Sequence, residues 1–145
     1  MASASNFLIN KMLDFVLRQQ AYVPPTEVFI GLATTTGSQA APGTEVTGGS
    51  YARVGVPTSL INWSGTQGAG TTAVSSGTSG TISNNVLITF PTPTANWGTV
   101  VEFDVYDAVT GGNLLFRASL TAPQTINNGA PAPSFAISAL TWTID

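Results

Sequence analysis

Thr99-Val-Val-Glu-Phe-Asp-Val-Tyr-Asp-Ala-Val-Thr-Gly-Gly-Asn-Leu-Leu-Phe-Arg-Ala-Ser-Leu120 is the stretch that decides the fold class. Its first eight residues alternate: Val101, Phe103 and Val105 fall on one side, Val100, Glu102, Asp104 and Tyr106 on the other, the period of two expected of a strand. Asp107 to Asn113 then reads as a turn, because Gly111-Gly112 reaches positive φ at little cost. Leu114 to Leu120 returns as the partner strand. An antiparallel hairpin of this kind buries one face, so the rest of the chain has to supply a second layer.

Other segments offer that layer. Glu27 to Thr34 alternates Val28, Ile30 and Leu32 with Phe29, Gly31 and Ala33, a strand with two partly buried faces. Short strands are predicted at Tyr51–Val56, closed by Pro57, at Val86–Phe90, closed by Pro91, and once or twice within Ser134–Ile144, after a turn at Asn127-Asn128-Gly129. Thr35 to Ser50 is a loop. Residues 64–83 are almost wholly Gly, Ser, Thr and Ala, so they cannot fill a core and form a long exposed loop or ribbon. Many short strands between Gly, Pro and Asn turns predict a mainly β protein, an antiparallel sandwich of jelly-roll-like kind.

One helix precedes the strands. Ser5 is placed to cap it, Leu8, Met12 and Val16 with Ile9, Leu13 and Leu17 form a wide apolar face, and Asn10, Lys11, Asp14, Arg18 and Gln19 form the polar side. It stops before Pro24-Pro25, since proline disfavours helical geometry in the residue ahead of it. The expected organisation is a single domain over 1–145, with an N-terminal helix or arm at 1–22 and the sandwich at 26–145. Ile30, Leu32, Leu87, Phe90, Phe103, Leu115, Phe135 and Leu140 give the strands a core without the helix. The helix face is therefore free to meet a neighbour.

Composition narrows the function. The 145 residues contain no histidine and no cysteine, which removes the commonest general base, the commonest zinc ligands, the thiol nucleophile and any disulfide framework. Only 8% are charged, against about 25% in an average soluble domain. A surface with so little self-repulsion favours burial against neighbours. The net charge is −3 and the four basic residues, Lys11, Arg18, Arg53 and Arg117, are scattered, so no clustered basic face exists for nucleic acid. No apolar run approaches the ~20 residues of a membrane span, and Met-Ala-Ser-Ala-Ser lacks the basic start of a secretory signal.

Candidate chemistry is thin. Glu102 and Asp104, at i and i+2 on a strand, share a side with Asp107 near its end. They could be a hydrolytic pair or a calcium site; without accompanying acid/base residues they read as an exposed or interfacial strand face. No Ser-x-x-Lys or Gly-x-Ser-x-Gly string occurs, and the glycine strings precede no helix with a Lys-Ser/Thr pair. The expectation is no enzyme, no catalytic or metal residues and no cofactor. Trp63, Trp97 and Trp142, with Tyr51 and Tyr106, could line a sugar platform or fill a core or interface. The candidate interface residues are Leu8, Met12, Val16 and Trp63.

Two further strings carry a resemblance. Glu45-Val-Thr-Gly-Gly-Ser-Tyr-Ala-Arg53 follows Phe29-Ile-Gly-Leu-Ala-Thr-Thr35; Trp97-Gly-Thr-Val100 leads to Tyr106-Asp-Ala-Val-Thr-Gly-Gly-Asn-Leu-Leu-Phe116 and Leu120-Thr-Ala-Pro-Gln-Thr-Ile126. From about Val28 to the C-terminus the chain resembles small virion proteins of tailed phages, described as head decoration (cement) or tail-fibre-like proteins. The resemblance implies a structural protein made in the host bacterial cytoplasm and built into the virion. The first expectation it gives is a homotrimeric cement protein on the capsid surface, bound to the major capsid protein, with neither nucleic acid nor membrane as partner. The alternative is a tail-fibre or tail-tip protein that recognises host glycans.

Overall fold

The computed structural model describes residues 2–144. Its centre is the hairpin of β7 (Gly98–Tyr106) and β8 (Leu114–Ile126). Around it an antiparallel five-stranded sheet runs in the order β1 (Ser3–Ala4), β8, β7, β2 (Glu27–Ala33), β3 (Val54–Pro57). One face carries Val28, Ile30, Phe103 and Val105. Against it lie a three-stranded sheet of β10 (Thr141–Thr143), β5 (Thr81–Asn84) and β4 (Trp63–Ser64), and the pair β6 (Ile88–Thr89) and β9 (Ser134–Phe135). The protein is mainly β and sandwich-like, with one helix, α1 (Asn6–Arg18), near the N-terminus.

Aromatic rings join the layers. Phe103 lies 5.9 Å from Trp142 and 5.5 Å from Phe135, and Phe90 lies 6.1 Å from Phe135, all tilted or edge-on. Edge-to-face contact suits the ring quadrupoles and adds about 0.5–1.5 kcal/mol per pair beyond the area buried.

Parity along two strands differs from the sequence reading. The segment 86–90 turns Ile88 and Phe90 inward and leaves Leu87 exposed, so Leu87 is not a core residue. Between Val100 and Glu102 the β7–β8 register shifts, four residues of β8 (120–123) standing against Val101 alone, and Val100 rather than Val101 is fully buried. A bulge of this kind moves every side chain beyond it to the other face, which strict alternation cannot foresee. The strand expected at Tyr51–Val56 begins only at Val54, because Gly48, Gly49 and Ser50 all hold positive φ and turn the chain there.

Nor do the strands close the core alone. Ser5 donates its backbone N–H to the Leu115 carbonyl (2.9 Å), its hydroxyl bonds the Leu114 carbonyl, and the Leu8 N–H donates back to that hydroxyl (3.2 Å). The N-cap therefore fastens α1 to β8, and Leu8 joins the core at 6% exposure. Leu87, of the same chemistry, stands 62% exposed. Leu8→Ala should cost about 2–5 kcal/mol of unfolding free energy by cavity formation, while Leu87→Ala should stay within about 0.5 kcal/mol. Urea titrations of the two variants check this; equal losses would contradict the packing described.

Candidate functional site

The face of the five-stranded sheet opposite the aromatic layer is polar, and it is covered. Register places Gly31 beside Asp104, Asp104 beside Arg117 and Arg117 beside Ser3, with Ala33 beside Glu102 one step along. Residues 34–46 fold over this face, pinned by Thr34 N–H to the Thr44 carbonyl (2.8 Å) and Val46 N–H to the Leu32 carbonyl (2.9 Å). Glu102 and Asp104 are consequently 0% and 1% exposed. Their expected place on an exposed or interfacial strand face is corrected: the loop 34–46 roofs them, and Arg117 across the hairpin pairs with Glu102.

Each carboxylate has a distinct setting. Glu102 forms an ion pair with Arg117 and accepts the Gly37 N–H at 2.9 Å, so it holds the roof down. Asp104 accepts only the Tyr106 hydroxyl (3.2 Å), and its Oδ1 has no partner among the described residues. Burial, and next the Glu102 charge, push the Asp104 carboxyl up to about 7. No group of three or more metal-ligating side chains occurs among the described residues.

A second knot lies at the same end of the sheet. Arg53 grips Glu45 with both arms of its guanidinium (2.8 and 2.7 Å) and donates to the Ala108 and Gly111 carbonyls (2.8 Å each). Its plane covers the Tyr106 ring, 3.4 Å from the centroid. Tyr51 donates to Glu45 (2.9 Å) and accepts the Leu32 N–H (2.8 Å). Desolvation drives the phenols of Tyr51 and Tyr106 well above their ordinary value, so both stay donors. A Cβ at Gly31 would stand 3.1 Å from Glu45 Oε1 and from the Tyr106 ring, so glycine is what lets the knot close. Gly49, at φ 54°, brings its carbonyl to the Trp97 indole N–H (2.9 Å).

The Gly-Gly-Ser-Tyr-Ala-Arg53 string and the Asp107–Asn113 turn thus meet at one guanidinium. The shared pattern is structural. A match to the family model described as podophage GP4 fiber I protein gp80 spans residues 3–143. The chain belongs to this family. It is accordingly a virion structural protein of a tailed phage, of tail-fibre-like kind. No curated protein matches the chain.

Within this fibre-family fold the four candidate interface residues occupy two settings. Leu8 is buried against its own chain, while Met12 and Val16 stand exposed on the part of α1 beyond it. Leu13, Phe15 and Leu17 are exposed there too; the first and last belong to the face read from the sequence, and Phe15 widens it. Trp63 is half-buried, edge-on to Trp142 (5.3 Å), on an apolar cleft of about 270 Å³ shared with Val28, Ile82 and Phe116. Trp97, Trp142 and Tyr106 are buried and form no open platform. The loop expected at 64–83 is shorter than that: Ser64 ends β4 and Thr81 to Ser83 belong to β5, with Ser64 and Ser83 buried, because β5 pairs with β4 and β10. The part between is largely exposed and tied by its own hydroxyls and amides, such as Ser79 Oγ to the Thr66 carbonyl (2.6 Å). No helix among the described residues is long and apolar enough to cross a membrane.

Asp104 sets a pH dependence. The fold binds a proton that the unfolded chain releases at an ordinary carboxylate pKa. This stabilisation is complete below about pH 4 and is lost as pH rises through about 7. Asp104→Asn should flatten the slope, worth on the order of a few kcal/mol. Urea midpoints of both proteins between pH 4 and 8 measure it, and an equally sloped variant would assign the proton elsewhere.

Proposed function

We propose that the chain is a non-enzymatic subunit of the phage tail-fibre apparatus, and that it assembles with copies of itself through the projecting part of α1. The observation that carries this reading is the apolar face of α1, seated on its own chain only at Leu8 and exposed from Met12 onward. A helix that stays apolar on the side turned to water has an occupant in its working state. The family's description as a fibre protein favours the tail over the capsid surface. The expectation of a cement protein seated on the major capsid protein therefore yields to the fibre reading.

Two further features agree with a structural role. The buried carboxylates are committed to Arg117, to the roof amide of Gly37 and to Tyr106. The aromatic side chains that could have served glycan recognition are largely spent on the core.

Gold-labelled antibody against this protein, viewed on intact virions by electron microscopy, should mark the tail. Label spread over the head would restore the cement reading and overturn this one.

A further inference from the structure

Four buried side-chain polar atoms have no hydrogen-bond partner among the described residues, and three of them lie in one row. Ser3 Oγ, Arg117 Nε and Asp104 Oδ1 belong to residues paired directly across β1, β8 and β7. Directly opposed residues send their side chains to the same face of a sheet, here the polar face under the roof. The fourth atom, Trp142 Nε1, stands in the opposite layer and takes no part.

The row is enclosed. The roof crosses it from Glu102, which accepts the Gly37 N–H, to the foot of α1, where the Asn6 N–H donates to the Gln39 carbonyl (2.8 Å). Beyond Asp104 the row ends at Gly31, against Glu45 and the Tyr51 hydroxyl. Nor can Arg117 swing round to close the gap, because its Nη2 is held by Glu102 one step along the sheet.

The chemistry of the three atoms selects what joins them. Arg117 Nε only donates, Asp104 Oδ1 as a carboxylate oxygen only accepts, and the Ser3 hydroxyl does both. A cation would meet the guanidinium, and an anion would meet the Asp104 and Glu102 carboxyls. A neutral group that donates and accepts at one atom serves all three. Space agrees with this. Opposed side chains stand about 4.5–5.5 Å apart at Cβ, a gap that one oxygen spans with two bonds of about 2.8 Å. Buried waters typically make about three bonds to groups that have no other partner.

We propose that one water molecule is bound in this roofed row, accepting from Arg117 Nε–H and donating to Asp104 Oδ1 and Ser3 Oγ. Arg117 then holds two carboxyls, Glu102 directly and Asp104 through the water. When Asp104 carries its proton, Oδ1 can donate instead and the water turns to match. The same water ties β1, and with it the base of α1, to the centre of the sheet through a side chain as well as through the backbone. The site does not depend on the role proposed for the protein.

A crystal structure of the full chain at atomic resolution should show one oxygen peak within about 3.2 Å of all three atoms. Oxygen-17 relaxation dispersion counts the long-lived waters in solution. Ser3→Val removes the hydroxyl and fills the room beside it, and should lower that count by one. Ser3→Thr and Asp104→Asn each keep an oxygen at the site and should leave the count unchanged. Direct bonds among the three side chains overturn the site. So does a peak at the oxygen distances of a bound cation, about 2.3–2.6 Å, or an unchanged count in Ser3→Val. If Ser3→Val does not fold, the wild type decides: a wild type without the peak or without a long-lived water overturns the site, and both together support it.

Discussion

The guanidinium of Arg53 is the constraint on which the polar side of this fold depends. It joins two pieces of chain distant in sequence: Glu45 at the end of the roof, and the end of the central strand with the turn after it, through the Tyr106 ring and the Ala108 and Gly111 carbonyls. Only a planar fork with five donors can hold a carboxylate in two bonds, two carbonyls and a ring face at once. Once that corner is fixed, residues 34–46 close over the sheet, Glu102 goes under paired to Arg117, and Asp104 goes under beside it with its carboxyl pushed up to about 7. A buried pair is weak evidence of net stability, yet removing one partner is costly, because it strands a charge in a medium that solvates it poorly.

That economy shapes the outside of the molecule. The chain has four basic side chains, and each is engaged within it: Lys11 with Phe7, Arg18 with Asp14, Arg53 with Glu45, Arg117 with Glu102. Little charge remains to keep copies apart, while α1 offers an apolar face beyond its foot. A sparsely charged surface and an uncovered helix belong together in a protein whose work is to be built into a larger object. The loop 65–80, rich in hydroxyls and tied to itself, adds surface without adding charge.

Much of the fold was legible. The β7–β8 hairpin showed through alternation and its Gly-Gly turn, the helix through its spacing and Ser5, and β2 through Val28, Ile30 and Leu32. The errors have physical causes. Leu87 was placed inside because a short apolar run has no parity of its own, and Val101 was put on the side of Phe103 because a shift in register leaves no mark in the alternation. The burial of Glu102 and Asp104 was out of reach, since it depends on a Gly-, Ser- and Thr-rich roof without periodicity. One signal was there to use: counting outward from the turn brings Arg117 within one residue of facing Asp104, so a cation beside the acidic pair could have been foreseen. The apolar face of the helix was equally plain, but not that Leu8 would be taken by the body and the remainder left uncovered.

The central claim is that this molecule has a body closed by buried ion pairs and an arm completed only by its neighbours. Hydrogen–deuterium exchange of the intact protein across a dilution series tests both halves at once. Amides of β7, β2 and the roof, Leu32 and Gly37 among them, should exchange slowly at every concentration. Amides in the last two turns of α1 should exchange fast when dilute and become protected as concentration rises. Fast exchange in the roof, or protection of α1 that does not change with dilution, would contradict it.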